Sequence, residues 1–501
     1  MTKRLINGLK KHTWILYVFF AFIQLLFMFY QGGKQSMWLD EMSLIGTITK
    51  DKGIGDILWQ YLTVDVTNLP LFPLISALWY RVFPANDRLM LLLTELFSSG
   101  ALVVTAFLAE RNFGKREGIL SAVLMLISLR PVINCGFEFR SYAFMLFFSA
   151  LSLFFYYEKN RSPGKREELL FGASLLLLIF THYSGIILTA ILGFLDLIKV
   201  ISKKQGFSKL LPYFASGFLF LPWFILMLRF KEKSISSFWV DPPTMPEIAR
   251  TLKYLLSNNE AVYVVFIFGI LITAAELIMT AYKGEVTDGA AFLSLEMLCT
   301  VFIMILSVFV YSAYINPGGG FFLKRYFIVL LPLMVCVTSY AVRKMTDFFS
   351  SGKNREELNA AFFVISGFFL IYFGFINLSE IREKTKKSAE TFREAAAYIK
   401  EQGVLKEGED AALVCSVNPR AAAGFSEYYV RRGGREKEIA TVSLQGEEPV
   451  KELSKYDRLY LVYVHRDLKD LDPLIEKTLR EEYELTAQNE EVKAAVFERR
   501  H

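Results

Sequence analysis

The chain has 501 residues, 53% of them hydrophobic and 15% aromatic, with 46 phenylalanines and a formal net charge of +6. A soluble domain is about 45–50% apolar even with glycine counted, so the excess argues against a soluble protein, and it is gathered into blocks, as bilayer solvation demands. The small charge, with basic residues lying between apolar runs, argues against a nucleic-acid binder, whose cations would gather on one face.

Four dispersed cysteines (Cys135, Cys299, Cys336, Cys415) and four histidines show neither a disulfide framework nor zinc-ligand spacing. The first apolar run is long and no A-x-A-like site follows it, so no cleavable signal peptide is expected. Apolar stretches begin near Trp14, Leu89, Ile119, Tyr142, Leu169, Ile186, Leu210, Val262, Leu293, Tyr326 and Ala361. At about 20 residues per crossing, they predict a polytopic α-helical protein with about eleven spanning helices.

The stretch Pro70–Pro84 is short for a crossing and contains Pro70, Pro73 and Arg81. If it does not cross, the basic links around Arg111/Lys115, Lys159/Arg161, Lys203/Lys204 and Arg343/Lys344 share the side of the Lys3/Arg4/Lys10/Lys11 terminus. The positive-inside rule makes that side cytoplasmic. Pro70–Pro84 then reads as a helix in the outer interface, and the tail from about Ser379 lies outside. The expected division is a membrane domain over 1–378 and an extracytoplasmic α/β domain over 379–501. In the tail, helices are expected over Thr391–Gln402, through Phe425–Val430 and over Asp470–Glu481, with strands at Ala411–Val417 and Leu459–Val464. No phosphate-binding loop or catalytic triad motif appears there, and its expected role is to cover the site or bind acceptor.

Chemistry is expected on the outer face. Trp38-Leu39-Asp40-Glu41 places two carboxylates just beyond the first helix, where Asp40 could act as general base; as a structural feature the pair is an acidic first helical turn. Glu138-Phe139-Arg140-Ser141-Tyr142 sets a carboxylate and a guanidinium among aromatics, suited to a sugar and a lipid phosphate, or to an interfacial aromatic belt. His182 is another outer-edge polar group, and a lone histidine is more often structural. Gly318-Gly319-Gly320 leading to Lys324-Arg325-Tyr326 suits a mobile loop over an anionic ligand, or a flexible turn with anchoring charges. Asp241 is a weaker outer candidate. Glu95, Asp196, Glu276 and Glu296 fall inside spans, where a charge costs about 2.5–3.5 kcal/mol on insertion scales, but they form no repeating relay.

In order along the chain, these motifs resemble the GT-C class of membrane glycosyltransferases. The similarity is to the family 39-like bacterial branch, related to protein O-mannosyltransferases and lipid A aminoarabinose transferases. Trp38-Leu39-Asp40-Glu41 resembles the acidic signature of that family's first outer loop, and Asn68-Leu69-Pro70-Leu71-Phe72 its Pro-Pro-Leu-aromatic stretch, with Leu69 in place of the first proline. Arg88 resembles the opening of the second crossing and Glu138-Phe139-Arg140-Ser141-Tyr142 that of the fourth.

The resemblance implies transfer of one sugar from a polyprenyl-phosphate donor to an envelope lipid, polymer or protein acceptor outside a bacterial cell membrane, with inversion. It gives Asp40 the part of general base, with Glu41 supporting it, and the donor and its phosphate to Arg88, Glu138, Arg140, Tyr142, His182, Lys324 and Arg325. It leaves the need for a metal open: Asp40 and Glu41 could ligate one divalent ion, although related enzymes can act without one. The alternative is a flippase or exporter of polyprenyl-linked saccharides, which would need polar groups at mid-depth.

Overall fold

The structure is a computed structural model. It describes residues 12–49, 51–65, 68–230, 240–283, 289–317, 320–349, 355–386, 390–404, 410–464 and 470–500. The first helix, α1, covers Thr13–Gly32. Three short helices follow before the second long one: α2 (Leu39–Thr47), α3 (Ile54–Thr63) and α4 (Leu71–Val82). α4 has 12 residues, too few to cross a bilayer, as the prolines and Arg81 led one to expect.

Next come α5 (Asp87–Phe113) and α6 (Lys115–Ile127), then a π-helical turn at Arg130–Gly136 bent by 52° from α6. The remaining long helices are α7 (Tyr142–Arg161), α8 (Lys165–Ile179), α9 (Tyr183–Ile201), α10 (Leu211–Phe230), α12 (Glu260–Lys283), α13 (Gly289–Val310), α14 (Leu331–Phe349) and α15 (Arg355–Lys386). The shorter α11 (Pro246–Leu255) precedes α12. Seven of the described helical segments are long and apolar enough to cross a membrane, or eight if the bent pair counts as one span. α7, α8 and α15 stand where the other expected crossings fall; α8 has only 15 residues, and α7 ends in Glu158, Lys159 and Arg161.

These helices meet through polar ties as well as apolar packing, which suits a setting where lipid offers no partner to a buried polar group. Gln24 donates to the Met125 carbonyl at 2.9 Å, and the Ser121 and Ser339 hydroxyls lie 2.8 Å apart. The intramembrane acids largely meet cations: Asp196 with buried Lys159 at 2.5 Å, Glu276 with Lys344 at 2.5 Å and Glu296 with Lys199 at 2.9 Å. Glu95 is fully buried and neither carboxylate oxygen has a hydrogen-bond partner among the described residues.

The tail holds a five-stranded sheet in the order β2-β1-β3-β5-β4. Its strands are β1 (Ala411–Cys415), β2 (Ala440–Ser443), β3 (Arg458–Val462), β4 (Tyr483–Asn489) and β5 (Ala494–Arg499). β2, β1 and β3 are parallel, while β5 and β4 run antiparallel. The helices are α16 (Phe392–Glu401), α17 (Pro419–Phe425), α18 (Pro449–Leu453) and α19 (Pro473–Glu482). Strand alternation splits the sheet between two cores. Leu413, Cys415, Tyr460 and Val462 belong to the core that runs into the membrane helices, and Val414, Leu459 and Leu461 pack with Ile475 and Leu479 of α19.

The tail is thus seated on the membrane helices. Arg393 of α16 donates to the carbonyls of Gly33 (3.1 Å) and Lys34 (2.8 Å) and pairs with Asp87 at 3.2 Å. Tyr429 also donates to Asp87 and accepts from the Met37 amide. α17 crosses α2 at Gly46 and Gly424, where a Cβ on either glycine would stand 2.0 Å from a backbone oxygen of the other helix.

Candidate active site

α2 begins at Trp38, whose backbone amide donates to the carboxylate of Glu41 three residues on, at 2.9 Å. That side-chain-to-backbone cap fixes the direction of Glu41. The second Glu41 oxygen accepts from the amide of Phe139, so this side chain is buried and ties α2 to the turn before α7. Burial pushes Glu41 up to about 8, against the two amide donors, which act to lower it. Adjacent residues on a helix point about 100° apart, so Asp40 faces elsewhere, into a cavity of about 700 Å³.

Asp40 meets Arg140 there, its carboxylate 3.4 Å from the guanidinium. Arg325 lies close by, stacked at 5.7 Å from the Tyr142 ring and 5.9 Å from the Trp38 ring. Trp38 also lies 5.9 Å from the Arg140 guanidinium, so one indole sits beside both cations. Arg325 forms no ion pair among the described residues, and its Nε has no hydrogen-bond partner there. It can therefore take an anion at little electrostatic cost. His182 packs between Tyr142 and Tyr326, 4.8 Å from the latter, and its Nδ1 accepts from the Ser184 amide. Burial, with Arg140 and Arg325 adding to it, holds His182 down at about 3, so the imidazole is neutral.

The cavity has two characters. One wall is apolar, with Ile186 and Ile187 of α9 and Phe224, Met227 and Leu228 of α10. The other carries Asp40, Ser43, Asp65, Asn68, Arg140 and Arg325. Tail residues Asn418 and Arg420 complete it. A molecule with an apolar chain, an anionic group and a hydroxylated head would match this sequence of surfaces.

Of the residues singled out in the sequence, Asp40, Arg140, Tyr142, His182 and Arg325 converge on this cavity. Glu41 lies behind it, holding backbone. Glu138 accepts from Asn134 at 3.0 Å, within a group that includes buried Arg130 and Tyr254, and is not part of the cavity wall. Arg88 packs against Gly33, and Lys324 pairs with Glu247 of α11 at 3.1 Å; neither lines the wall. Asp241 is exposed and also outside it. Gly318 and Gly319 lie outside the described residues; Gly320 precedes Phe321, whose amide donates to Ser312 at 3.2 Å.

Asp40 and Glu41 do not fit a shared metal ion. Glu41 has both oxygens on backbone amides and Asp40 faces a guanidinium. Among the described residues no three His, Cys, Asp or Glu side chains cluster as ligands. Asp65, Asn418 and Arg420 escaped the sequence reading, and Asn68 entered it only as the first residue of a motif, with no role of its own. The signal available for Asp65 and Asn68 was a carboxylate and an amide three residues apart, directly before Pro70.

No family model matches the sequence, and no curated protein matches it. Solved structures do. ArnT from Cupriavidus metallidurans in the apo state superposes with a TM-score of 0.59 at 12% identity, covering 96% of this chain and 97% of that one. The same protein bound to undecaprenyl phosphate gives 0.57 at 12% identity, over 97% and 98%. An oligosaccharyltransferase from Archaeoglobus fulgidus, tethered to an acceptor peptide, gives 0.53 at 11% identity, over 92% of this chain and 70% of that one. These are glycosyltransferases of the GT-C class, and the fold of this chain is theirs.

Proposed function

We propose that the protein is a membrane glycosyltransferase of the bacterial cell envelope, moving one sugar from a polyprenyl-phosphate donor to an extracytoplasmic acceptor with inversion. The observation that carries this reading is the placement of Asp40 beside Arg140 and Arg325 at the polar end of a cavity whose other wall is apolar. A prenyl chain suits the α9–α10 wall, and its phosphate suits Arg325 and Arg140. The likeness to a transferase solved with undecaprenyl phosphate supports the same donor class.

In the reaction, an acceptor hydroxyl or amine attacks the anomeric carbon. A new bond forms from the acceptor heteroatom to that carbon as the bond from the carbon to the phosphate oxygen breaks. Asp40 takes the acceptor's proton, an effect typically worth about 10²–10⁴-fold. The polyprenyl phosphate departs with the electron pair, and Arg140 and Arg325 stabilise the charge that grows on it. His182, neutral and half-buried, shapes the wall beside Tyr142 and Tyr326 rather than moving a proton. No step is routed through a metal ion. The distribution of the basic links supports a cytoplasmic N-terminus and an external tail, on the side where this reading puts the acceptor.

The test uses purified protein with Asp40→Asn and Arg140→Ala variants, each assayed for consumption of short polyprenyl-phosphate sugars in the presence of membrane extract. Turnover in wild type, lost in both folded variants, is the expected result. If wild type consumes no donor but moves labelled lipid across proteoliposomes, the transferase reading is wrong.

A further inference from the structure

The tail, to which the sequence assigned no chemistry, contributes two polar side chains to the cavity. Asn418 caps α17, its Oδ1 accepting from the Ala421 amide at 2.9 Å, while its Nδ2 reaches Ser43 at 3.3 Å. Arg420 donates to Asp65 at 2.8 Å. Ser43 lies three residues beyond Asp40 on α2, hence on the same helical face. The close approach of Gly46 and Gly424 holds this arrangement, since α17 could not sit so near α2 with a side chain at either position.

Two features distinguish this patch from the Arg140–Arg325 side. Its one cation is matched by a carboxylate, so it lacks the uncompensated positive charge that a phosphate would recruit. It also alternates donors and acceptors, which is what neutral hydroxyls require, each being donor and acceptor at once. Reaction geometry points the same way. In an inverting displacement the nucleophile and the leaving group stand on opposite sides of the reacting carbon. With the phosphate at Arg140 and Arg325, the acceptor must reach Asp40 from elsewhere, and Ser43, Asn418, Arg420 and Asp65 are polar groups of the same cavity, tied to one another between α2, the first outer loop and the tail.

We propose that Asp65, Asn418 and Arg420 form the acceptor subsite, and that the acceptor is a saccharide-bearing envelope molecule recognised through its hydroxyls. This rests on the transferase reading.

The experiment uses the full-length protein, a labelled polyprenyl-phosphate sugar as donor and membrane extract titrated as the source of acceptor. Undecaprenyl phosphate binding reports on the donor side. Arg420→Gln and Asn418→Ala are expected to raise the half-saturating extract concentration about tenfold, equivalent to about 1.4 kcal/mol of lost binding. Donor KM and undecaprenyl phosphate affinity stay as in wild type. A charge swap, Asp65→Arg with Arg420→Asp, preserves the ion pair and the melting temperature without restoring acceptor use. The label is expected in proteinase-resistant glycan material.

Restoration by the swap would reduce Arg420 to a structural partner and overturn the subsite, as would variants that leave the acceptor dependence unchanged. Label released by proteinase would overturn the saccharide acceptor. A wild type that binds undecaprenyl phosphate but consumes no donor would sink the transferase reading, and the subsite with it.

Discussion

The Asp40 carboxylate and the Arg140 guanidinium stand 3.4 Å apart, although they belong to different outer segments, α2 and the turn before α7. What brings them together is Glu41, which anchors α2 to the Phe139 amide. The residue beside the proposed base therefore positions that base relative to the cation.

This coupling makes the two residues a functional unit. Asp40→Asn and Arg140→Gln are each expected to lower turnover by at least about 10²-fold, and the double variant to fall little below the worse single one. Asp40 is 36% exposed, so its replacement should leave the melting temperature unchanged. Additive losses in a double-mutant cycle would show that the two act independently.

Glu41 makes a different prediction, in stability rather than rate. Its folded value of about 8 exceeds its ordinary 4.5, so the folded form holds an extra proton between those limits. That stability is fully present below about 4.5 and is lost as the pH rises through about 8. Thermal melts between pH 6 and pH 9 should fall with pH in wild type, and Glu41→Gln should flatten the fall while lowering the melt throughout. An equal slope in the variant would assign the dependence to other groups.

The contrast between Asp40 and Glu41 marks how far the sequence could be read. The run Trp38-Leu39-Asp40-Glu41 locates a site, but only the helix start at Trp38 decides which acid faces the cavity and which faces backbone. Spans were legible because about 20 apolar residues leave few alternatives. In the tail, β1 and β3 were legible as buried apolar runs, whereas β4, reading Tyr-Glu-Leu-Thr-Ala-Gln-Asn, is a largely exposed edge strand with little apolar signal. β2 and β5 were missed as well. Asn418 and Arg420 were out of reach for another reason. Their place beside Asp40 comes from tail docking, and no local pattern encodes a contact across more than 350 residues.

His182 predicts an absence in the pH profile. Its value of about 3, against an ordinary 6.5, keeps the imidazole neutral through the working range. The stability it contributes is present above about 6.5 and is lost as the pH falls towards 3. The profile of kcat/KM should show no histidine ionisation near 6.5, and His182→Gln should keep the same acid limb. A limb present in wild type and missing from the variant would give His182 a proton-transfer role.

The glycine crossing between α2 and α17 tests whether the tail is needed where it sits. In Gly46→Ala the new methyl meets the Arg420 carbonyl at 2.0 Å, and in Gly424→Ala it meets that of Met42 at 2.0 Å. Both contacts are with backbone, so the helices must part, at a cost of about 1–3 kcal/mol. Each variant is expected to melt lower than wild type and to lose turnover along with tail docking. Gly55→Ala is the control, because a methyl there meets nothing within 4 Å and Gly55 lies on α3, in the same outer loop. If Gly46→Ala melted low but turned over at the wild-type rate, Asp40 would need no support from the tail, and the α2–α17 contact would serve stability alone.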